Sequence, residues 1–247
     1  MTDERTLSVR DVHTYYGDSH VLHGVTLTAE VGRLTALMGR NGAGKTTLLG
    51  SISGLTPPRN GEIRFEGNDL TGLKPYQIAR LGVSLVPQGR RVFGSLSVRE
   101  HLDIVNPSGR AVTWTAERVL DVFPQLKTRW NQRASHLSGG EQSMLAIARA
   151  LRLQPTCLLM DEPMEGLSPV YVQIVANVIQ ALRNEAERAI LLVIPELALA
   201  VQLADRICIM STGNIVFDGT PQELEESPDT QARYLGVATA GMQPQPQ

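Results

Sequence analysis

The chain is 247 residues long, enough to bury a sizeable core around a central sheet as one large domain or two closely packed ones. Its 23 basic residues against 25 acidic ones leave no excess positive charge to displace counterions from nucleic acid, so general nucleic-acid binding is excluded and any phosphate binding is local. The opening MTDERTLSVR is too polar and acidic for an expected export signal, and no apolar run approaches the ~20 residues that cross a bilayer, so membrane association is expected only through a partner.

Alternating segments at 7–12 and 21–28, separated by Tyr16-Gly17-Asp18, predict a hairpin-like antiparallel sheet. An apolar strand at 34–38, a glycine-rich loop at 39–44 and a helix at 45–53 ending before Gly54 follow as strand, loop, helix. The run GEIRFEGND at 61–69 predicts a further hairpin, before a short helix at 76–80 and a strand at 83–86. Between 90 and 152 no segment has a strand pattern, whereas 98–104, 116–123 and 141–153 carry helical apolar spacing, which predicts a helical insertion. Alternation resumes with strands at 157–160, 189–194 and 206–210 and helices at 169–187 and 197–204, the order of a parallel sheet with helices on both faces. The domains expected are thus a core of 1–89 plus 153–236, a helical subdomain at 90–152 and a flexible polar tail at 237–247. Cys157 and Cys208 lie in apolar strands and are expected as buried hydrophobes under reducing conditions.

Gly39-Arg40-Asn41-Gly42-Ala43-Gly44-Lys45-Thr46 fits GxxxxGK[ST] with a strand before it and a helix after it. Glycines let the backbone wrap with its amides inward, so those amides and the positive helix end receive phosphates. Lys45 would bridge the outer phosphates and Thr46, followed by Thr47, would ligate magnesium; the chain has only two other lysines, Lys74 and Lys127. Downstream, the apolar strand at 157–160 ends in Asp161-Glu162-Pro163, which sets two carboxylates at the carboxyl edge of a parallel sheet. Asp161 suits magnesium, and Glu162 suits the orientation or deprotonation of a water attacking the terminal phosphate.

Leu137-Ser138-Gly139-Gly140-Glu141 opens a helix and reads locally as a capping box, with Ser138 as N-cap and Glu141 reaching back. Two glycines in the first turn weaken a helix but let its positive end lie flat against an anion. The phosphate loop, LSGGE and LLMDEP, in this order and spacing, resemble the ABC ATPase family across almost the whole chain. The resemblance implies an α/β P-loop NTPase fold: a RecA-like parallel core, an N-terminal antiparallel β subdomain and an inserted helical subdomain. It also implies ATP and Mg2+ as ligands, and a head-to-tail pair of subunits in which Ser138, Gly139, Gly140 and Glu141 face the partner's nucleotide.

By the same resemblance Tyr16 stacks on adenine, an alternative being a hairpin core position. Gln88 touches magnesium and relays the nucleotide state, so Glu162, Lys45 and Gln88 carry the chemistry and Thr46, Gln88 and Asp161 the metal. The loop at 165–169 takes the place of one that crosses the dimer interface. Within the family, GRNGAGKTT, VPQGRRVF, FPQLK and LSGGEQSMLAIARAL are similar to the second ATPase of branched-chain amino acid importers, and nearly as similar to urea and short-amide importers. Such systems imply a second ATPase subunit, two permease subunits, an outside binding protein and a place on the cytoplasmic face of the membrane.

One position departs from that pattern. Where the family places a histidine or glutamine that contacts the terminal phosphate, this chain has Pro195 followed by Glu196. Proline offers no side-chain donor, and losing one such donor costs on the order of a hundredfold in rate. ATP binding is therefore a firmer expectation than fast hydrolysis; an asymmetric heterodimer with a slow site of its own is one consequence, and a proline that merely ends the strand while the loop compensates is the alternative.

Overall fold

The computed structural model describes residues 6–105 and 111–236; the polar tail at 237–247 lies outside them. In chain order the elements begin with β1 (Thr6–Tyr16), β2 (Ser19–Glu30), β3 (Leu34–Met38), α1 (Lys45–Ile52), β4 (Asn60–Phe65), β5 (Asn68–Asp69), α2 (Pro75–Arg80) and β6 (Val83–Val86). A helical stretch follows: α3 (Val98–Asp103), α4 (Ala116–Val122), α5 (Pro124–Thr128), a 3-10 turn (Ala134–His136) and α6 (Gly139–Arg152). The chain then runs through β7 (Cys157–Asp161), α7 (Pro169–Asn184), β8 (Ala189–Val193), α8 (Leu197–Leu203), β9 (Arg206–Ser211), β10 (Asn214–Gly219), α9 (Pro221–Glu225), α10 (Pro228–Thr230) and a π turn (Gln231–Leu235).

Two sheets organise these elements. β2-β1-β4-β5 form an antiparallel sheet, and β10-β9-β3-β8-β7-β6 form a second one whose strands are parallel except β10. Every residue of β3, β7 and β8 is buried, as both faces of a parallel sheet demand. The side chains divide with period two. Leu34, Ala36, Leu158, Met160, Ile190, Leu192, Ile207 and Ile209 pack with the apolar faces of α6, α7 and α8. Leu37, Cys157, Leu159, Leu191, Val193 and Cys208 pack instead with Leu48, Leu49 and Ile52 of α1 and with the inward residues of the antiparallel sheet. Each such Leu, Ile, Val or Met side chain contributes about 1.5–3 kcal/mol on burial. Helices lie on both faces as expected, with α1 sharing its side with β1, β2 and β4.

Other differences are local. β1 and β2 run longer than their alternation suggests, because a bulge at Asp11, with φ 48°, shifts the register and breaks the pattern without ending the strand. The helix expected to 187 stops at Asn184, and Ala186 turns the chain with φ 52°. Several elements have no counterpart among the sequence expectations: α5, α9, α10 and the 3-10 and π turns have only three to five residues each, and a register shift between Ile215 and Phe217 hides the alternation of β10. Both cysteines are free and buried, and burial pushes their thiols well above the ordinary range. Among the described residues no helix is long and apolar enough to cross a membrane.

Candidate functional site

β3 delivers the chain to the carboxyl edge of the parallel sheet, where residues 39–44 turn back into α1. Gly39 has φ 140°, and a Cβ there would collide with the Met210 carbonyl oxygen, so only glycine passes this point. The turn between β9 and β10 braces the same loop: the Gly213 N–H donates to Ala43 O at 2.9 Å, and Gly213 O accepts from the His23 N–H of β2 at 2.9 Å. α1 begins at Lys45 with no side-chain cap, leaving its first amides free to meet an anion.

Lys45 is buried, with Nζ donating to Gly39 O at 2.9 Å and Arg40 O at 3.3 Å and lying 3.7 Å from Glu162 Oε1. The ammonium therefore sits across the loop, between its carbonyls and the carboxylate edge of β7. A cleft of about 350 Å³ joins Asn41, Gly42, Gly44, Lys45, Thr46 and Thr47 to Gln88, Glu162 and Glu165. A second, of about 520 Å³, carries Tyr16, Thr46, Gln88 and Asp161 on its wall.

Asp161 ends β7 and is buried, and its Oδ1 has no hydrogen-bond partner among the described residues. Burial pushes its carboxyl above the ordinary range, against the opposing pull of Thr46 and Lys45. Glu162 is shifted up for the same first reason, with Lys45 pulling down and Glu165 and Asp161 pushing up. Its backbone is held at φ 47°, a left-handed conformation that a glutamate adopts only where its surroundings enforce it. The Glu162 N–H donates to Val193 O at 3.2 Å, which ties the bend to β8.

The sequence-predicted residues therefore fall into two groups. Lys45, Thr46, Thr47, Asn41, Gly42, Gly44, Gln88, Asp161 and Glu162 come together around these clefts, with Gly39 and Ala43 shaping the loop. Tyr16 is 54% exposed on the second cleft's wall, which removes the alternative that it is a hairpin core residue. Glu165 is the addition: it lines both clefts and accepts a hydrogen bond from Gln88 Nε2 at 3.0 Å. Its signal in the sequence is a third carboxylate within five residues of the acidic pair.

Ser138, Gly139, Gly140 and Glu141 form the second group, at the tip of α6. Ser138 is exposed and caps the helix, its hydroxyl accepting from the Glu141 N–H at 3.3 Å while Glu141 Oε2 accepts from the Ser138 N–H at 2.8 Å. Glu141 Oε1 also takes the Arg129 Nε–H at 3.0 Å, so this carboxylate is engaged within its own chain. Burial pushes the Glu141 carboxyl up, but the Ser138 amide, Arg129 and the Ser138 hydroxyl outweigh it and hold it below its ordinary value. A depressed carboxylate contributes stability above its unfolded value and loses it as pH falls through the folded one. Glu141→Gln is expected to lower unfolding stability by about 1–2 kcal/mol at neutral pH, with the difference from the parent shrinking on acidification; urea titrations across pH measure both.

Gly140 has an internal reason beyond closeness to an anion. A Cβ at this position would run into the Tyr171 ring, in the first turn of α7. Gly140→Ala gains at most ~1 kcal/mol of helix propensity but meets about 1–3 kcal/mol of overpacking, so a net loss is expected. In a Tyr171→Ala background the added cost of Gly140→Ala should disappear, which urea titration of the two single variants and the double variant measures. At Gly139 the neighbour is the Arg90 guanidinium, whose nearest atom would stand 2.7 Å from an added methyl.

Residues 22–165 match the family model described as ABC transporter. The chain is 41% identical over 232 residues to the high-affinity branched-chain amino acid transport ATP-binding protein BraG of Pseudomonas aeruginosa, covering 93% of this chain and 99% of that one. It is 32% identical over 256 aligned residues to the high-affinity branched-chain amino acid transport ATP-binding protein LivG of Escherichia coli, covering 94% and 98%. A solved ATP-binding subunit of an ABC transporter superposes with a TM-score of 0.78 at 27% identity, covering 93% of this chain and 96% of that one. With the phosphate loop, the acidic strand end and the exposed serine-capped helix tip already in place, the chain belongs to the ABC transporter ATP-binding family.

Proposed function

We propose that this chain is the ATP-binding subunit of an importer for branched-chain or other hydrophobic amino acids, working on the cytoplasmic face of the membrane. It would act with a second ATPase subunit, two permease subunits and an extracytoplasmic binding protein. The observation that carries the reading is the convergence of Lys45, Thr46, Asp161 and Glu162 on adjoining clefts, with a serine-capped helix tip left exposed elsewhere on the same chain. Similarity to BraG and LivG supports the amino-acid cargo.

Mg2+ fits the residues present: Asp161 Oδ1 is a buried oxygen without a partner among the described residues, and Thr46 and Gln88 supply neutral oxygens on the same cleft wall. When bound, the ion would neutralise phosphate charge. The chain's own groups do the rest. The loop amides and Lys45 grip the phosphates, Tyr16 offers its exposed ring to adenine, and Glu162 orients or deprotonates the attacking water. A carboxyl already shifted up by burial is a better proton acceptor than an ordinary one.

Residues 90–152 would serve as the signature subdomain, presenting Ser138, Gly139 and Gly140 to the partner's nucleotide, while Glu141 holds Ser138 in place. Pro195 is exposed just beyond β8, beside Glu162 and Glu196, and brings no donor to the terminal phosphate. We therefore read this chain's own site as the slower one of an asymmetric pair. Reconstitution with its permeases and binding protein in proteoliposomes tests the cargo: ATP-dependent leucine uptake is expected, and uptake of urea in its place would overturn the amino-acid reading.

A further inference from the structure

We propose that Glu165 is a positioning residue for the metal end of the site, fixing the side-chain amide of Gln88 so that its oxygen, and not its nitrogen, is presented to the ion. The inference rests on the nucleotide-binding reading above and adds a residue to it.

A glutamine amide has two ends of nearly equal shape and opposite chemistry, and only the oxygen ligates a metal. Left to itself, such an amide spends part of its time with the nitrogen forward. A carboxylate accepts hydrogen bonds and donates none, so the 3.0 Å contact between Gln88 Nε2 and Glu165 Oε2 commits the amide to one orientation. The two residues come from loops 77 positions apart. Both line the cleft that holds Lys45 and Thr46, and both line the neighbouring one that holds Thr46 and Asp161. The committed orientation therefore operates beside the groups that would surround the ion.

The charge of Glu165 sharpens the point. A third carboxylate near a phosphate cradle opposes anion binding, and its field already pushes both Asp161 and Glu162 upward. The contact with Gln88 is the use for it that the geometry displays. Outer groups that orient a ligand commonly affect metal affinity by about 10–100-fold.

The test compares affinities of the full chain for a fluorescent ATP analogue in EDTA and in saturating Mn2+; the ratio of the two reports how much the metal tightens the complex. Glu165→Ala is expected to cut that ratio about tenfold without weakening binding in EDTA, and Gln88→Ala to do the same. The double variant should be no worse than the poorer single one, because both act through one amide. Glu165→Gln, which removes the charge but keeps an acceptor oxygen, should recover most of the ratio. If Glu165→Ala has its full effect in the Gln88→Ala background, or if Glu165→Gln is as poor as Glu165→Ala, charge alone is at work and the proposal is overturned. An unchanged ratio in Glu165→Ala overturns it too. Failure of the parent chain to bind the analogue in either medium would sink the nucleotide reading instead, so the two failures are told apart.

Discussion

Lys45→Ala is expected to lower ATP affinity at least about a hundredfold while leaving the fold intact. The ammonium is already seated across the loop by the Gly39 and Arg40 carbonyls, so little side-chain freedom remains to be lost when a triphosphate arrives. Truncating one partner of a desolvated charge pair costs roughly 2–5 kcal/mol, and a hundredfold corresponds to about 2.7. Stability should change far less. The two carbonyls released by the substitution face an open cleft where water can replace the lysine, and Glu162 is 3.7 Å away, beyond a tight ion pair. Equilibrium binding of a fluorescent ATP analogue and thermal unfolding of the same sample separate the two effects; equal affinity in parent and variant would contradict the role given to Lys45.

In the assembled transporter, Ser138→Arg is expected to reduce ATP hydrolysis at least about a hundredfold, whereas Glu162→Gln should leave most of it. The asymmetry has a structural basis. At the tip of α6 the capping Ser138 is exposed, so on the proposed pairing it would complete the site on the other ATPase subunit, and an arginine there would fill the space the nucleotide needs. Glu162, in contrast, lines this chain's own phosphate-loop cleft, and Pro195, which lines an adjoining pocket with it, would bring no donor to the terminal phosphate on the proposed reading. Steady-state hydrolysis by the reconstituted complex, with the equivalent glutamate of the other subunit replaced as a control, decides it. Abolition of activity by Glu162→Gln alone would show that both sites must turn over and would remove the slow-site reading.

Much of the site is legible in the sequence because its chemistry is local. Residues 39–46 and 157–162 each adjoin or include a buried strand with a functional end, and a strand of almost wholly apolar residues states its burial on both faces. Glu165 is harder to assign: its partner Gln88 belongs to another loop, and no local pattern announces a contact between side chains brought together only by folding. Tyr171 against Gly140 is a case of the same kind, since the glycine reads in sequence as an accommodation to an anion when the nearer cause is a ring from α7. Among the strands, β10 escapes notice because Ile215, Val216 and Phe217 follow one another without strict alternation, which the irregular pairing with β9 accommodates. The sharing of one sheet face between α1 and the antiparallel strands likewise depends on long-range packing that alternation cannot state.

The clasp between Gly213 and Ala43 carries an implication for biosynthesis. A turn made late in translation supplies a brace for a loop made early, and the same turn reaches β2 through His23. During synthesis from the ribosome, the glycine-rich segment emerges long before the hairpin that stiffens it. The cradle should therefore become competent only once β9 and β10 have been threaded into place, so that nucleotide reports on a completed parallel sheet. Stalled nascent chains ending before residue 206, where β9 begins, should fail to retain ATP, while those extending past the hairpin should hold it; retention by the shorter ones would rule this order out.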